Sequence, residues 1–296
     1  MLSRLRFRRL LRWALILLAL ALIALYLALP LVYGFYATRS ARAAVGAPPS
    51  GFGAVSLTTD DGVPLAAWYA PPQNGAAIVL VHGSGDSRDD VRAHAEMLAR
   101  SGFGVLALDL RGHGESGGDA NRLGWQGSSD VGAAVRYLQS RGEVRAIGGL
   151  GLSVGGEILL GAASEYPALR ALVSEGATYR SLDEFKALPE HRGFINSLQI
   201  RMLSLAVMLF GGGRPPTPIL DSIMAAHDMR LLLIAAGNES QEIAYNEAFA
   251  EAVATRAEVW VVPGAGHTQG LSRSPEEYER RVIGFLKETL LDAHGD

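Results

Sequence analysis

A serine stands between glycines where an apolar run gives way to a helical pattern. The segment Gly151 to Gly155 reads G-x-S-x-G, after RAIGGLGL and before GEILLGAA. On a tight turn from a buried strand to a helix, the Ser153 hydroxyl projects above the sheet as a nucleophile, and the N–H of Val154 can donate to a developing oxyanion. The simpler alternative is that the glycines end a strand and Ser153 caps a helix. A dinucleotide-binding turn beginning at Gly149 is disfavoured because Val154 is too large where such a turn needs Gly or Ala.

Two further positions fit a nucleophilic site around this serine. His267 follows the strand pattern EVWVVP in the loop GAGHT, where a general base for Ser153 is expected. After the strand pattern AAIVLV, the turn HGSG presents the backbone N–H of Ser84 as a second oxyanion donor. His82 in that turn is interpreted as structural, and the alternative for His267 is a solvated loop side chain.

The acid that would orient His267 is open to three candidates. Glu239 and Glu242 follow the strand pattern RLLLIAAG, and Glu175 follows the preceding strand pattern. Glu242 is preferred. Its alternative role is to open the next helix, where its charge suits the helix dipole.

The elements that must position these residues alternate between strand and helix. FGAVSLTT and VPLAAWYAP, joined near Asp61-Gly62, predict an antiparallel hairpin. Six short apolar runs follow, typical of buried parallel strands. Helical patterns are predicted at 88–100, 129–139, 155–164, 242–254 and 274–291. This alternation predicts an α/β fold with a mostly parallel sheet and helices on both faces.

The first 52 residues have a different composition. Residues 1–12 carry five arginines, and residues 13–37 are uncharged and apolar, long enough for a tilted transmembrane helix. The positive-inside rule places the N-terminus in the cytoplasm and the rest of the chain beyond a cell membrane that it crosses once. Residues 38–52 read as a linker to a domain at 53–296. The alternative is a cleaved signal peptide with its site at Ala41 to Ala43.

Composition excludes several classes of partner and site. The net charge of -3 gives no general attraction to nucleic acid. The chain has no cysteine, which excludes disulfides, thiol catalysis and cysteine-based zinc sites. No signature of a metal or organic cofactor is present, and the predicted chemistry needs none.

The segment at about 178–229 interrupts the strand and helix alternation and predicts a small helical cap. Its central run is apolar, while Gln199 and Arg201 argue against a second membrane span. We expect an amphipathic helix that covers the site; the alternative is a surface patch that rests on the bilayer.

Four motifs together resemble the α/β-hydrolase superfamily, especially its serine-aminopeptidase-like branch. They are HGSG, DLRGHGES, GLSVGG and PGAGH, in this order, within residues 50–290. The resemblance implies an α/β-hydrolase fold with a cap, Ser153 as nucleophile, His267 as base, and the N–H groups of Ser84 and Val154 as the oxyanion hole.

The same resemblance implies that the loop with Asp109, Arg111 and His113 is structural. The chain departs from the family at the acid, because many members have Asp three residues after the loop glycine, where this chain has Ser240. A glutamate triad is therefore the expectation.

The predicted function is a membrane-anchored serine hydrolase that cleaves an ester or thioester of a small-molecule acyl substrate through an acyl-enzyme on Ser153. An apolar acyl group is favoured because the predicted cap is apolar, with Leu203, Leu205, Val207, Met208 and Phe210. The alternatives are a serine peptidase of aminopeptidase-like type and a catalytically idle scaffold that binds a ligand or a protein.

Overall fold

The computed structural model describes residues 2–119, 123–186, 188, 191–211 and 214–291. An N-terminal helix runs as α1 (Leu2–Ile23), a five-residue π turn (Ala24–Ala28) and α2 (Leu29–Ala37). Pro30 has no N–H to donate to the carbonyl four residues earlier, which accounts for the widened turn just before it. The stretch Arg6–Ala37 contains an 18-residue window with a mean hydropathy of 2.9, and it is long and apolar enough to cross a membrane.

Among the described residues, ten strands follow this helix. They are β1 (Ala41–Arg42), β2 (Gly53–Thr58), β3 (Pro64–Ala70), β4 (Ala76–Val81), β5 (Gly104–Leu108), β6 (His113–Gly114), β7 (Ala146–Leu152), β8 (Leu169–Glu175), β9 (Arg230–Ala236) and β10 (Ala257–Val262). The main sheet has eight strands in the order β10-β9-β8-β7-β4-β5-β3-β2. Its hairpin β2–β3 is antiparallel, as is the contact of β3 with β5, and the other pairs are parallel. The predicted fold class is confirmed.

The helices alternate with these strands. They are α3 (Arg92–Arg100), α4 (Gly127–Gln139), α5 (Val154–Ala162), α6 (Leu182–Phe185), α7 (Phe194–Gly211), α8 (Ile219–Ala225), α9 (Ser240–Val253), α10 (Gly270–Arg273) and α11 (Pro275–Leu290). The first of them begins four residues later than predicted. The backbone N–H of Arg88 donates to the Asp109 carboxylate at 2.7 Å, which ties that end of the segment to a loop.

The core has two layers, one on each face of the sheet. Side chains of α4, α5 and α9 pack on one face, with Val131, Ile158 and Phe249 fully or almost fully buried. Side chains of α3 and α11 pack on the other, with Leu98 and Leu286 at its centre. The strands between the two layers are buried on both sides, which is why they read as continuous apolar runs.

The predicted linker at 38–52 follows the surface of the domain. In it, β1 pairs in parallel with β6, and the N–H of Gly46 donates to the Asp89 carboxylate at 2.5 Å. The Arg92 guanidinium donates to the carbonyl of Ala47 at 2.8 Å. The N-terminal helix is therefore joined to the domain through a linker that itself contacts the domain surface.

The segment predicted as a cap holds α6, α7 and α8. α7 packs along α2 and the π turn of the N-terminal helix, and α8 packs on α5 and α9. The residues of α7 are exposed or half-buried, apart from the buried Ala206 and Val207. It borders a small cavity beside α5 but is not part of the larger cavity that holds Ser153.

Candidate active site

Ser153 stands on a strained turn at the carboxyl end of β7. Its φ of 51° and ψ of −123° lie where residues other than glycine are rarely found. A Cβ built on Gly151 would lie 2.4 Å from the backbone of Gly155, and one on Gly155 would lie 2.5 Å from the carbonyl oxygens of Val81 and His82. Both flanking glycines are thus required by the close crossing of backbones.

His267 faces the serine from the loop after β10. Its Nε2 lies 2.9 Å from the Oγ of Ser153. The histidine side chain is 48% exposed and reaches the serine across 114 residues of sequence, because β10 and β7 end at the same edge of the sheet. This geometry lets Nε2 accept the hydroxyl proton.

Glu242, in the first turn of α9, contacts the other side of the imidazole. Its Oε1 bonds to Nδ1 of His267, and its Oε2 accepts from the N–H of Ala236 at 3.0 Å. The carboxylate side chain is only 5% exposed. A buried acceptor on Nδ1 fixes the tautomer that leaves Nε2 free to act as a base.

The two other acid candidates lie elsewhere. Glu175 is buried and accepts from the N–H of Gly270 and from the hydroxyl of Tyr278, both at 2.7 Å. It holds α10 and α11 on the sheet rather than the imidazole. Glu239 is exposed at the N-cap of α9. The structure therefore brings Glu242, and neither alternative, to His267.

The charge of Glu242 alters the histidine it contacts. The hydrogen bond from Nδ1 to this carboxylate raises the pKa of His267 above its ordinary value of 6.5, against an opposing effect of partial burial. The carboxylate thus favours the imidazolium, which is the form that follows proton abstraction from the serine.

The two predicted oxyanion donors flank Ser153. The N–H of Val154 belongs to the first turn of α5, where backbone donors have no acceptor within the helix. The HGSG turn lies on the other side: a Cβ built on Gly83 would be 3.6 Å from the Cβ of Ser153, and Ser84 lines the same cavity.

A cavity of about 720 Å³ opens above these residues. Its wall includes three side chains that the sequence analysis did not assign to the site, Asp86, Asp90 and His94. Burial raises the pKa of Asp86 and lowers that of His94 to about 4. The two aspartates were visible in the sequence within the run that follows the HGSG turn. His94 had no such signal, because it belongs to the first turn of α3, away from that motif.

The loop expected to be structural contains buried ion pairs. Asp109 is paired with Arg88 and also accepts from the N–H of Glu115 at 2.8 Å. Arg111 is paired with buried Asp130 at 2.8 Å. These contacts fix the loop after β5 beneath the HGSG turn.

The histidines of this region are equally constrained. Nε2 of His82 accepts from the N–H of Leu110 at 3.0 Å, and its burial lowers the pKa to about 3. Its ring lies next to that of His113, with centroids 5.2 Å apart. A neutral, buried His82 holds the HGSG turn in place, in line with the structural role predicted for it.

Comparisons with known proteins agree with this architecture. Residues 72–215 match the family model described as serine aminopeptidase, S33. A segment of 116 residues is 34% identical to the bifunctional esterase/perhydrolase DCH of Acinetobacter calcoaceticus. That match covers 38% of this chain and 39% of the relative, so the chain spans about two fifths of its length in the match.

Solved structures show the same fold over most of the chain. The esterase Pf2001 of Pyrococcus furiosus is 24% identical with a TM-score of 0.66, covering 84% of this chain and 98% of that one. The α/β hydrolase GrgF of a Penicillium species is 18% identical with a TM-score of 0.63, covering 81% and 99%. At these identities the likeness concerns the fold.

Proposed function

We propose that this chain is a membrane-anchored serine hydrolase of the α/β-hydrolase superfamily, and that it cleaves a carboxylic ester or thioester through an acyl-enzyme on Ser153. The observation that carries the proposal is the contact chain Ser153 Oγ, His267 and Glu242, built on a strained turn. The esterases among the similar proteins support the ester as the bond cleaved.

In the first half of the reaction, Oγ of Ser153 attacks the acyl carbon while Nε2 of His267 takes its proton. The carbonyl oxygen becomes an oxyanion that the N–H groups of Ser84 and Val154 stabilise. Glu242 stabilises the imidazolium. When the bond from the acyl carbon to the leaving group breaks, His267 returns the proton to the departing oxygen or sulfur.

In the second half, water replaces the leaving group. His267 takes a proton from the water as its oxygen attacks the acyl carbon of the ester on Ser153. The same two N–H groups hold the second oxyanion. Collapse releases the carboxylic acid and returns the proton to Oγ, which restores the free enzyme.

An aminopeptidase is the second candidate, favoured by the family model and by the acids in the cavity. The carboxylates of Asp86 and Asp90 line the cavity with Ser153, and no Lys or Arg does so among the described residues. Such a wall suits the free ammonium of a peptide N-terminus. Hydrolysis of aminoacyl p-nitroanilides in preference to p-nitrophenyl esters would favour this candidate.

The test of the hydrolase uses the full-length protein in detergent micelles. We expect a fluorophosphonate to label the protein covalently and p-nitrophenyl esters to be hydrolysed, with both signals lost in Ser153→Ala. A folded wild-type protein that neither labels nor turns over would instead support the catalytically idle scaffold, and binding partners would become the question.

We also propose that the domain lies on the extracytoplasmic side of the cell membrane, with the N-terminal arginines inside. The support is the asymmetry of charge around the apolar helix. Because the chain has no cysteine, a single Glu276→Cys variant provides one exposed thiol on α11. Labelling of intact cells by a membrane-impermeant maleimide is expected, and labelling only after lysis would contradict the orientation.

A further inference from the structure

The N-terminal helix also forms a wall of the hydrolase domain. A Cβ built on Gly34 would lie only 2.4 Å from the Cβ of Ala206, so α2 and α7 approach each other at small residues. Contacts of this kind are typical of helix pairs within membranes. The rings of Phe35 and Phe210 also meet edge to face, with their centroids 5.3 Å apart. The anchor and the cap therefore form one packed unit.

With the N-terminal helix spanning a bilayer as proposed above, this contact lies at the depth of one leaflet. A hydrocarbon core of about 30 Å takes up about 20 helical residues. Counted from Trp13, the core ends near Val32, which puts Tyr33 and Tyr36 at the far interface where tyrosines are favoured. The part of the helix that α7 contacts, residues 24–37, then spans the leaflet away from the arginines and its interface.

The free face of α7 matches that depth. Six of its large apolar side chains are between 41% and 82% exposed: Phe194, Ile195, Leu205, Met208, Leu209 and Phe210. Its one charge, Arg201, is on a long side chain that can reach lipid phosphates while its stem remains among acyl chains. An apolar surface of this kind, continuous with the anchor helix, fits lipid acyl chains.

Between the anchor and the cap lies an apolar cavity of about 400 Å³. The N-terminal helix contributes Leu25, Leu29, Pro30 and Tyr33 to its wall. A second cavity, of about 90 Å³, lies further inside and reaches Val154, the residue directly after Ser153. The two cavities share three wall residues: Tyr179, Ile200 and Leu203.

From this arrangement we propose that the substrate is an ester of a long acyl chain that resides in the leaflet away from the arginines. The acyl chain passes between α2 and α7, over Tyr179, Ile200 and Leu203, and brings its carbonyl carbon to Ser153. The leaving group occupies the larger, water-exposed cavity, where the acids disfavour an anionic group. This assignment names the substrate class of the hydrolase proposed above and rests on that activity.

The first experiment narrows the passage without touching the catalytic residues. Full-length wild type, Ile200→Trp and Met224→Trp are compared in phospholipid nanodiscs, with p-nitrophenyl palmitate and p-nitrophenyl butyrate as substrates. Met224 is exposed on α8 and belongs to neither cavity, so it controls for an added indole.

We expect Ile200→Trp to lower the palmitate to butyrate ratio of kcat/KM by about tenfold or more, since burial of a few methylenes is worth that much. Met224→Trp should keep the wild-type ratio. An unchanged ratio in Ile200→Trp would overturn the proposed route.

The second experiment does not depend on catalysis. Full-length Ser153→Ala in nanodiscs is irradiated with palmitic acid that carries a terminal diazirine, and the crosslinked peptides are mapped by mass spectrometry. We expect adducts on the cavity walls at 25–33 and 196–203 that Ile200→Trp suppresses. Adducts confined to the outer face of α7 would refute the route. Failure of fluorophosphonate labelling, by contrast, would refute only the hydrolase activity.

Discussion

Replacement of Glu242 by glutamine tests the geometry of the site through the tautomer of one imidazole. Glutamine has nearly the same size as glutamate. Its amide oxygen can therefore still accept from the N–H of Ala236, which in the wild type donates to Oε2 of Glu242. The amide NH2 then faces Nδ1 of His267. Because that group donates, it selects the tautomer with the proton on Nε2, which faces Oγ of Ser153 at 2.9 Å and can no longer accept a proton.

The expected loss in kcat is about 10⁴, the loss that a wrong tautomer causes in a serine triad. At about 1.36 kcal/mol for each factor of ten, this equals about 5.4 kcal/mol of transition-state stabilisation. KM should change little, since Glu242 is buried behind the imidazole and does not line the cavity. The assay is steady-state hydrolysis of p-nitrophenyl esters, with circular dichroism as a check of folding.

Glu239→Gln is the matched control, because it makes the same change three residues earlier. Glu239 is exposed and solvent screens its charge, so a change of less than about threefold in kcat is expected. If Glu242→Gln kept more than a tenth of the wild-type kcat while Glu239→Gln lost its activity, the assignment of the acid from the geometry would be wrong.

Three further predictions concern protonation and stability. Since His267 must be neutral to act as a base and its pKa is raised, kcat/KM should fall as the pH drops through a midpoint above 6.5; a midpoint below 6 would contradict the contact with the carboxylate. Gly155→Ala should destabilise the fold by about 3 kcal/mol or more, because the new Cβ would overlap backbone carbonyls at 2.5 Å; an unchanged urea midpoint would argue against this backbone crossing. Arg111→Met should lower the free energy of unfolding by about 3–5 kcal/mol, since it removes the cation paired with buried Asp130. Arg136→Met removes one member of an exposed ion pair and should lower it by less than about 1 kcal/mol. Equal losses of stability in urea denaturation would refute this difference.

The sequence was informative where one local requirement dominates. Ser153 has a positive φ, and its turn passes so close to the end of β4 that the flanking positions have no room for a Cβ. The motif G-x-S-x-G therefore predicts this turn directly. Strands covered on both faces read as uninterrupted apolar runs, which located the parallel sheet. Helix boundaries were less predictable, because the start of α3 depends on a contact of Arg88 with a loop 21 residues away.

Choosing among three acids required the tertiary structure. Glu175 ends β8, and Glu239 and Glu242 follow β9, at the same edge of the sheet, so spacing alone leaves them equivalent. What separates them is side-chain direction: α9 begins at Ser240, and its first turn aims Glu242 back at the N–H of Ala236 and at His267. Glu175 is occupied instead by donors from Gly270 and Tyr278.

The packing of the N-terminal helix against α7 had no signal in the local sequence. Of the contacts that the sequence did not predict, it matters most for the proposed function. The sequence shows two apolar segments, residues 13–37 and the central run of α7. Hydrophobicity alone does not predict that these two segments pack against each other. The contact depends on the absence of a side chain at Gly34, which lies opposite Ala206, a residue 172 positions later in the chain. If membrane anchoring served only to tether the domain, a solvated linker would suffice, and a helix packed against the cap would have no purpose. In the proposal made above, this helix instead closes one side of a cavity that leads toward Val154. The proposed substrate route then gives one apolar surface two roles, attachment to the membrane and selection of the acyl chain that reaches Ser153.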